Sequence, residues 1–207
     1  MPIKIKFTMK KKNSFFFISV FFFAFTCNAF ANNSDPKAFI QEIVDEAKKI
    51  LIATNTPEYK AEKLTEIAKA KVDIKGIGLY TLGSYRKQLS EEQKKEYAIL
   101  FEKYFLKSFV SRLTDYSDPK IEVISAEKKN EKYTIVYSLL LATDKKPEVK
   151  INWRVYTKNP DKPLITDLII EGLSLARTQQ EEFASIIESN NGDINSLFNK
   201  LKEFVDN

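Results

Sequence analysis

Apolar positions recur at helical spacing over the first stretch of the chain from residue 35, alternate singly from about residue 119 to 173, and return to helical spacing to the end. Asp35-Pro36 supplies an N-cap with proline at the first helical position. Phe39, Ile40, Ile43, Val44, Ala47, Ile50 and Leu51 then predict a helix ending near Thr54. Thr56-Pro57 repeats that start for a second helix carrying Leu64, Ile67 and Ala68 and running into Val72-Asp73-Ile74, after which Gly76, Gly78 and Gly83 loosen the pattern. Ser90 to Gln93 reads as a capping box for a long helix from about Glu91 to Leu113. In that helix Tyr97, Leu100, Phe101, Tyr104 and Phe105 line one arc, and Leu106, Phe109, Val110 and Leu113 carry it round the cylinder. A helix resting on one layer needs an apolar stripe of little more than a third of its circumference, so this one must meet apolar material on two sides. The second side is either another protein layer or a ligand cavity.

Period-two segments at Ile121 to Ala126, Tyr133 to Ala142, Val149 to Tyr156 and Leu164 to Leu173 predict four antiparallel strands. Val149, Ile151, Trp153 and Val155 face one way, and Lys150, Asn152, Arg154 and Tyr156 the other, which fits a sheet with one covered face. Two short helices close the chain, Thr178 to Ser189 and Asp193 to Phe204. Helices before strands predict an α+β fold: N-terminal helices packed on a twisted four-stranded antiparallel sheet, with C-terminal helices.

Ahead of all this, Lys4, Lys6, Lys10, Lys11 and Lys12 precede an apolar run from Phe15 to Phe25, followed by the small-x-small site Ala29-Phe30-Ala31. That layout predicts a signal peptide over residues 1–31, cleaved after Ala31, with a single domain over 32–207. The apolar run falls short of the roughly 20 residues that cross a bilayer. Removing the leader takes five of the 33 basic residues and none of the 28 acidic ones, leaving 28 of each. Whole-chain charge then gives no reason to expect nucleic acid or an anionic membrane as principal partner. Cys27, the only cysteine, lies before the cut, and Thr26 and Ala24 fit poorly with lipid attachment. The chain has no histidine, which excludes Ser-His and Cys-His catalysis and Cys or His metal sites.

Few motifs invite a catalytic reading. Gly76, Gly78 and Gly83 lack dinucleotide spacing and predict a structural turn. Gly172-Leu173-Ser174-Leu175-Ala176 lacks the closing glycine of a nucleophile elbow. Asp167 and Glu171 share a strand face about 13 Å apart, beyond the roughly 5–9.5 Å of glycosidase carboxylates. Ion pairing, with Arg154 an available partner, is the plainer reading, beside contact with a ligand or partner.

Taken in order, Val72-Asp73-Ile74, Leu82-Gly83-Ser84-Tyr85, the Ser90 to Gln93 cap with its aromatic helix, Trp153-Arg154, Asp167 to Ser174 and Thr178 to Phe183 resemble the MlaC or toluene-tolerance auxiliary family over roughly residues 36–204. The resemblance implies a soluble periplasmic phospholipid carrier of NTF2-like, cone-shaped build. It shuttles lipid between outer and inner membranes, which maintains outer-membrane lipid asymmetry. Its partners are an outer-membrane lipoprotein-porin complex and the inner-membrane Mla ABC transporter complex. It implies a monomer with bound phospholipid as cargo, no cofactor, no catalytic group and no stable membrane insertion. Candidate lipid-lining residues are Phe101, Tyr104, Phe105, Leu139, Leu141, Ile151, Trp153, Ile169 and Leu173, each with a plain core reading beside it. Arg154 is the candidate for a head group or docking face, its competing role being an ion pair with Asp167 or Glu171. Two other functions stay open: a periplasmic adaptor or chaperone binding a protein, and an isomerase-like enzyme with an apolar pocket.

Overall fold

A computed structural model describes residues 35–114, 118–144 and 146–207. The leader and its cleavage site lie outside these residues. Asp35 caps helix α1 (Pro36–Ile52) by accepting from the Lys37 amide, and Thr56 caps α2 (Pro57–Lys71) by accepting from Tyr59, so both Pro-led starts are helix starts. The second helix does not run on through Val72. It stops at Lys71, Val72 makes a parallel bridge to Ile165, and Asp73 donates its backbone N–H to the Ile165 carbonyl. Asp73 then caps a separate helix α3 (Ile74–Thr81).

Two of the glycines expected to form a turn therefore lie inside a helix. A Cβ on Gly76 would sit 2.1 Å from the capping carboxylate of Asp73, and one on Gly78 would sit 2.7 Å from the Phe101 ring. Only Gly83, with φ of +55°, has the left-handed backbone of a turn, opening the 3-10 helix Gly83–Lys87. The capping box is realised in both directions, Ser90 N–H donating to Gln93 and Gln93 N–H donating to the Ser90 hydroxyl, at the start of α4 (Glu91–Thr114).

Strands β1 (Ile121–Lys128), β2 (Tyr133–Leu140), β3 (Val149–Tyr156) and β4 (Leu164–Ile170) form an antiparallel meander. The sheet has five strands in sequence order, which corrects the expected four. The run expected to continue to Leu173 breaks at Glu171-Gly172, where both residues take positive φ (49° and 85°), and Leu173–Ser174 folds back on Ile170 and Ile169 as β5. Two left-handed residues between paired strands are what a primed two-residue hairpin requires. Ser174 caps α5 (Leu175–Ser189) through the Arg177 amide, and Asp193 caps α6 (Ile194–Asp206).

These elements belong to the compact unit Ala31–Asn207. Its interior is built from two clusters. Tyr97, Leu100 and Phe101 of α4 join Phe183 and Ile187 of α5 and Leu197, Phe198 and Leu201 of α6. Phe39, Ile40, Ile43 and Val44 of α1 pack on Val123, Val136, Val155 and Ile165 of the sheet. Val72 touches both clusters, so the peptide bridge at Ile165 lies where helical and sheet cores meet. The two-sided apolar surface of α4 is used against other helices, α2, α3 and α6. No helix among the described residues is long and apolar enough to cross a membrane.

Candidate functional site

Strand β2 decides where a site can form. Its sequence, Tyr133 to Leu140, sets Tyr133, Ile135, Tyr137 and Leu139 on one face and Val136 and Leu140, between Thr134 and Ser138, on the other, and residues of both faces are buried. Pairing with β3 sets Val136 opposite Trp153 and Ser138 opposite Ile151 on one face, and Ile135 opposite Arg154 and Tyr137 opposite Asn152 on the other. The first face is closed by α1: Val136 is fully buried, Trp153 packs against the α1 cluster, and its Nε1 donates to Ser138 Oγ at 2.9 Å. The second face is closed only in part, by α3 and the start of α5, and a cleft of about 750 Å³ remains there.

Ile135, Tyr137 and Tyr133 of β2, Ile169 of β4, Ile77 and Tyr80 of α3 and Ala176 of α5 wall this cleft. Arg154 and Asn152 of β3 and Thr166 of β4 add polar groups along the sheet, and Lys129 and Asn130 of the β1–β2 hairpin form an exposed edge. Thr166 owes its place to a bulge: Arg154 pairs with Asp167 and Val155 with Ile165, leaving Thr166 as the extra residue. Its hydroxyl donates to the Arg154 carbonyl at 3.1 Å.

Beneath the wall lies a saturated carboxylate. Asp167 is 2% exposed, and it accepts from Arg154 Nη1 at 3.0 Å, Ser174 Oγ at 2.6 Å and the Ala176 amide at 3.0 Å. The Ser174 hydroxyl in turn accepts from the Arg177 amide, so one acid holds strand, bulge and the first turn of α5 together. A carboxylate there also complements the positive end of the helix dipole. Arg154 gives Asp167 one edge of its guanidinium and keeps about 40% of its side chain exposed in the cleft.

The other acids near the site are engaged as well. Glu127 accepts from Tyr137 Oη at 2.7 Å and pairs with Lys129 at 2.6 Å. The Lys129 ammonium, then the Tyr137 hydroxyl, hold its carboxyl below the usual range. Glu171 accepts from the Lys150 amide. Among the described residues no group of three or more metal-ligating side chains comes together. The arrangement offers an apolar trough with cationic and amide donors at one side, which suits an amphiphile with an anionic head.

The candidates divide by strand parity and by element. Arg154 and Ile169 line the cleft, while Leu139, two residues on from Tyr137 and on its strand face, and Leu141, one past the end of β2, are not among the residues that wall it. Ile151 and Trp153 lie on the face toward α1. Phe101, Tyr104 and Phe105 lie in or against the helical core, where Phe101 is 2% exposed and stacks near Tyr97, Tyr104, Phe105 and Phe183. Leu173 follows the tight turn and is 68% exposed. The face expected to be polar and outward, that of Asn152 and Arg154, is thus the one that meets the cleft. The readable signal for Tyr133, Ile135, Tyr137 and Asn152 was the apolar and aromatic face of β2, Tyr133, Ile135, Tyr137 and Leu139, next to a polar face of β3. For Ile77 and Tyr80 no such signal exists, because their helix was hidden by its glycines.

The family model described as MlaC protein matches residues 37–203. Seven chains of solved structures match. One, the phospholipid-binding protein from Ralstonia solanacearum in complex with a phospholipid, aligns with a TM-score of 0.68 at 19% identity over 82% of this chain and 96% of that one. At that identity the likeness establishes the fold. Of the curated proteins compared, none matches.

Proposed function

The chain belongs to the MlaC protein family, and from that membership we propose that it carries a phospholipid as cargo, its acyl part seated in the cleft between β2–β4 and α3. The observation that carries this reading is the cleft itself: about 750 Å³, apolar along its walls and edged by Arg154, Lys129 and two asparagines. Ligand sites commonly enclose roughly 300–1,000 Å³. Withdrawing methylenes from water contributes about 0.8 kcal/mol each, so shielding a chain of about 16 carbons is worth on the order of 12 kcal/mol before ordering costs. No catalytic group is needed for that. The carboxylates beside the cleft, Asp73 and Asp167, both accept from backbone amides, an arrangement that supports a carrier over an isomerase-like enzyme.

The fuller reading follows the family. After export and cleavage behind Ala31, the protein shuttles lipid through the periplasm as a monomer with an NTF2-like cone, and so maintains outer-membrane asymmetry. It exchanges cargo with the outer-membrane lipoprotein-porin complex and the inner-membrane Mla ABC transporter complex. Within the cleft we assign Ile169, with Leu139 and Leu141 beyond it, to the acyl chain and Arg154 to the phosphate. Ile151, Trp153, Phe101, Tyr104 and Phe105 support the walls from behind, and Leu173 lies outside. The test is detergent-free purification followed by native mass spectrometry and lipid extraction. Stoichiometric phospholipid is the expected result, and folded protein that never carries lipid would overturn the proposal in favour of a protein-binding adaptor.

A further inference from the structure

The whole-chain balance of charge conceals a local imbalance beside the cleft. The register places the β1–β2 and β3–β4 hairpins side by side: Tyr133 pairs with Tyr156, and the Thr157 amide donates to the Lys132 carbonyl. Helix α3 starts at the same end, because Asp73 is bonded to Ile165 at the start of β4. Lys128 and Lys132 on one hairpin, Lys158 and Lys162 on the other, and Lys75 on α3 are all exposed there. None of the five forms an ion pair among the described residues, whereas Lys129, on the cleft edge, is neutralised by Glu127. Beyond the Glu127 that pairs with Lys129, the opposing charges at this end are Glu131, Asp161 and the Asp73 that caps α3, three against five free ammonium groups.

We propose that this lysine-rich end of the sheet is a docking surface for an anionic lipid bilayer, which sets the cleft edge at Lys129 and Asn130 toward the membrane. Composition decides between a bilayer and a protein. The hairpin tips carry Asn130, Glu131, Asn159, Pro160 and Asp161 and no aromatic or aliphatic anchor, whereas stable protein interfaces centre on such anchors and are poor in lysine. Flexible lysines without an apolar centre give weak, reversible, salt-sensitive attraction to anionic head groups. A carrier that must leave again needs an attraction of that kind.

The test uses protein recovered from cells expressing the full 207-residue chain, floated with vesicles of phosphatidylcholine alone or with phosphatidylglycerol, at low and at physiological salt. The expected result is binding to the anionic vesicles at low salt, weakened by salt, and reduced at least about tenfold in Lys128→Gln/Lys132→Gln/Lys158→Gln/Lys162→Gln. A control double change on α4, Lys95→Gln/Lys103→Gln, should leave binding intact. Equal binding to neutral vesicles, or an unchanged quadruple variant, overturns the proposal. No binding at low salt also overturns it and leaves the lysines to an acidic protein surface. Bound lipid measured on the same samples keeps this outcome separate from that of the carrier reading, since vesicle binding requires the rim and not the cargo.

Discussion

At the scale of single residues, the acid that looked most like chemistry turns out to hold the fold. Asp167→Ala would strand the Ser174 hydroxyl, the Ala176 amide and one edge of Arg154. Breaking a buried, charge-assisted network costs about 3–5 kcal/mol, and because Arg154 remains partly hydrated the lower part of that range, about 3 kcal/mol, is expected in urea unfolding. Arg154→Ala leaves Asp167 its other two donors and should cost only about 1 kcal/mol, so it separates cargo contact from stability where Asp167→Ala does not. Alternation offered Asp167 and Glu171 as alternative partners for Arg154 without choosing between them, and the Ser174 hydroxyl and Ala176 amide were not readable at all, since they depend on a turn that reverses the chain at Glu171-Gly172. A second residue, Tyr97, has its hydroxyl against Thr81 Oγ1 at 2.9 Å in the helical core, and burial pushes its pKa up. The unfolded chain loses this proton from about its ordinary value of 10.0 while the folded one keeps it, so stability is intact below pH 10 and falls as pH rises beyond. Tyr97→Phe should flatten the fall seen between pH 10 and 11 relative to the parent, and an identical slope would refute that role.

At the scale of elements, α3 shows where sequence reading loses its grip. Glycine disfavours a helix by about 1 kcal/mol relative to alanine, so two glycines in five residues argue against one. They are present because the neighbours need the space: Gly76 lies under the Asp73 cap and Gly78 under the Phe101 ring. Gly78→Ala gains that 1 kcal/mol of propensity but drives a Cβ to 2.7 Å from a ring packed among Tyr97, Tyr104, Phe105 and Phe183. Overpacking typically costs about 1–3 kcal/mol, so after the gain in propensity the expected net is a destabilisation of about 0–2 kcal/mol in thermal or urea unfolding, and a stabilised variant would show the ring free to move. Elements with local signatures were legible to within a residue or two: the capped starts of α1, α2 and α4, and β3 at both ends. The fifth strand and the third helix were not, because each is specified by a contact with something distant in the chain. The motifs behind the family likeness are largely such contacts, for Gln180 reaches back to the Tyr80 carbonyl and Gln179 accepts from the Tyr104 hydroxyl.

At the scale of the whole molecule, the sheet has one face closed by α1 and one left partly open under α3, and that asymmetry is what leaves the cleft. Sequence alternation located the two faces of β3 and named the covered one correctly, but it left the Asn152 and Arg154 face to solvent, since only tertiary packing shows that α3 and α5 partly cover that face as well. The distinction can be tested with two substitutions on the same hairpin. Ile169→Glu places a carboxylate in the cleft wall beside an apolar chain, and its charge would have to be desolvated for lipid to bind. Leu173→Glu alters a side chain that is already 68% exposed. Lipid recovered with the Ile169→Glu protein should drop at least about tenfold, while Leu173→Glu retains it. Stability supplies an independent reading, because a ligand held at about 100 times its Kd stabilises the folded state by about 2.7 kcal/mol. For a domain of this size that corresponds to a Tm about 5–10 °C higher with cargo than without. The parent and Leu173→Glu should both lose those degrees on delipidation, and Ile169→Glu, having no cargo to lose, should not. An Ile169→Glu protein that still carries lipid and loses the same degrees on delipidation would mean that the cleft is not where lipid is held.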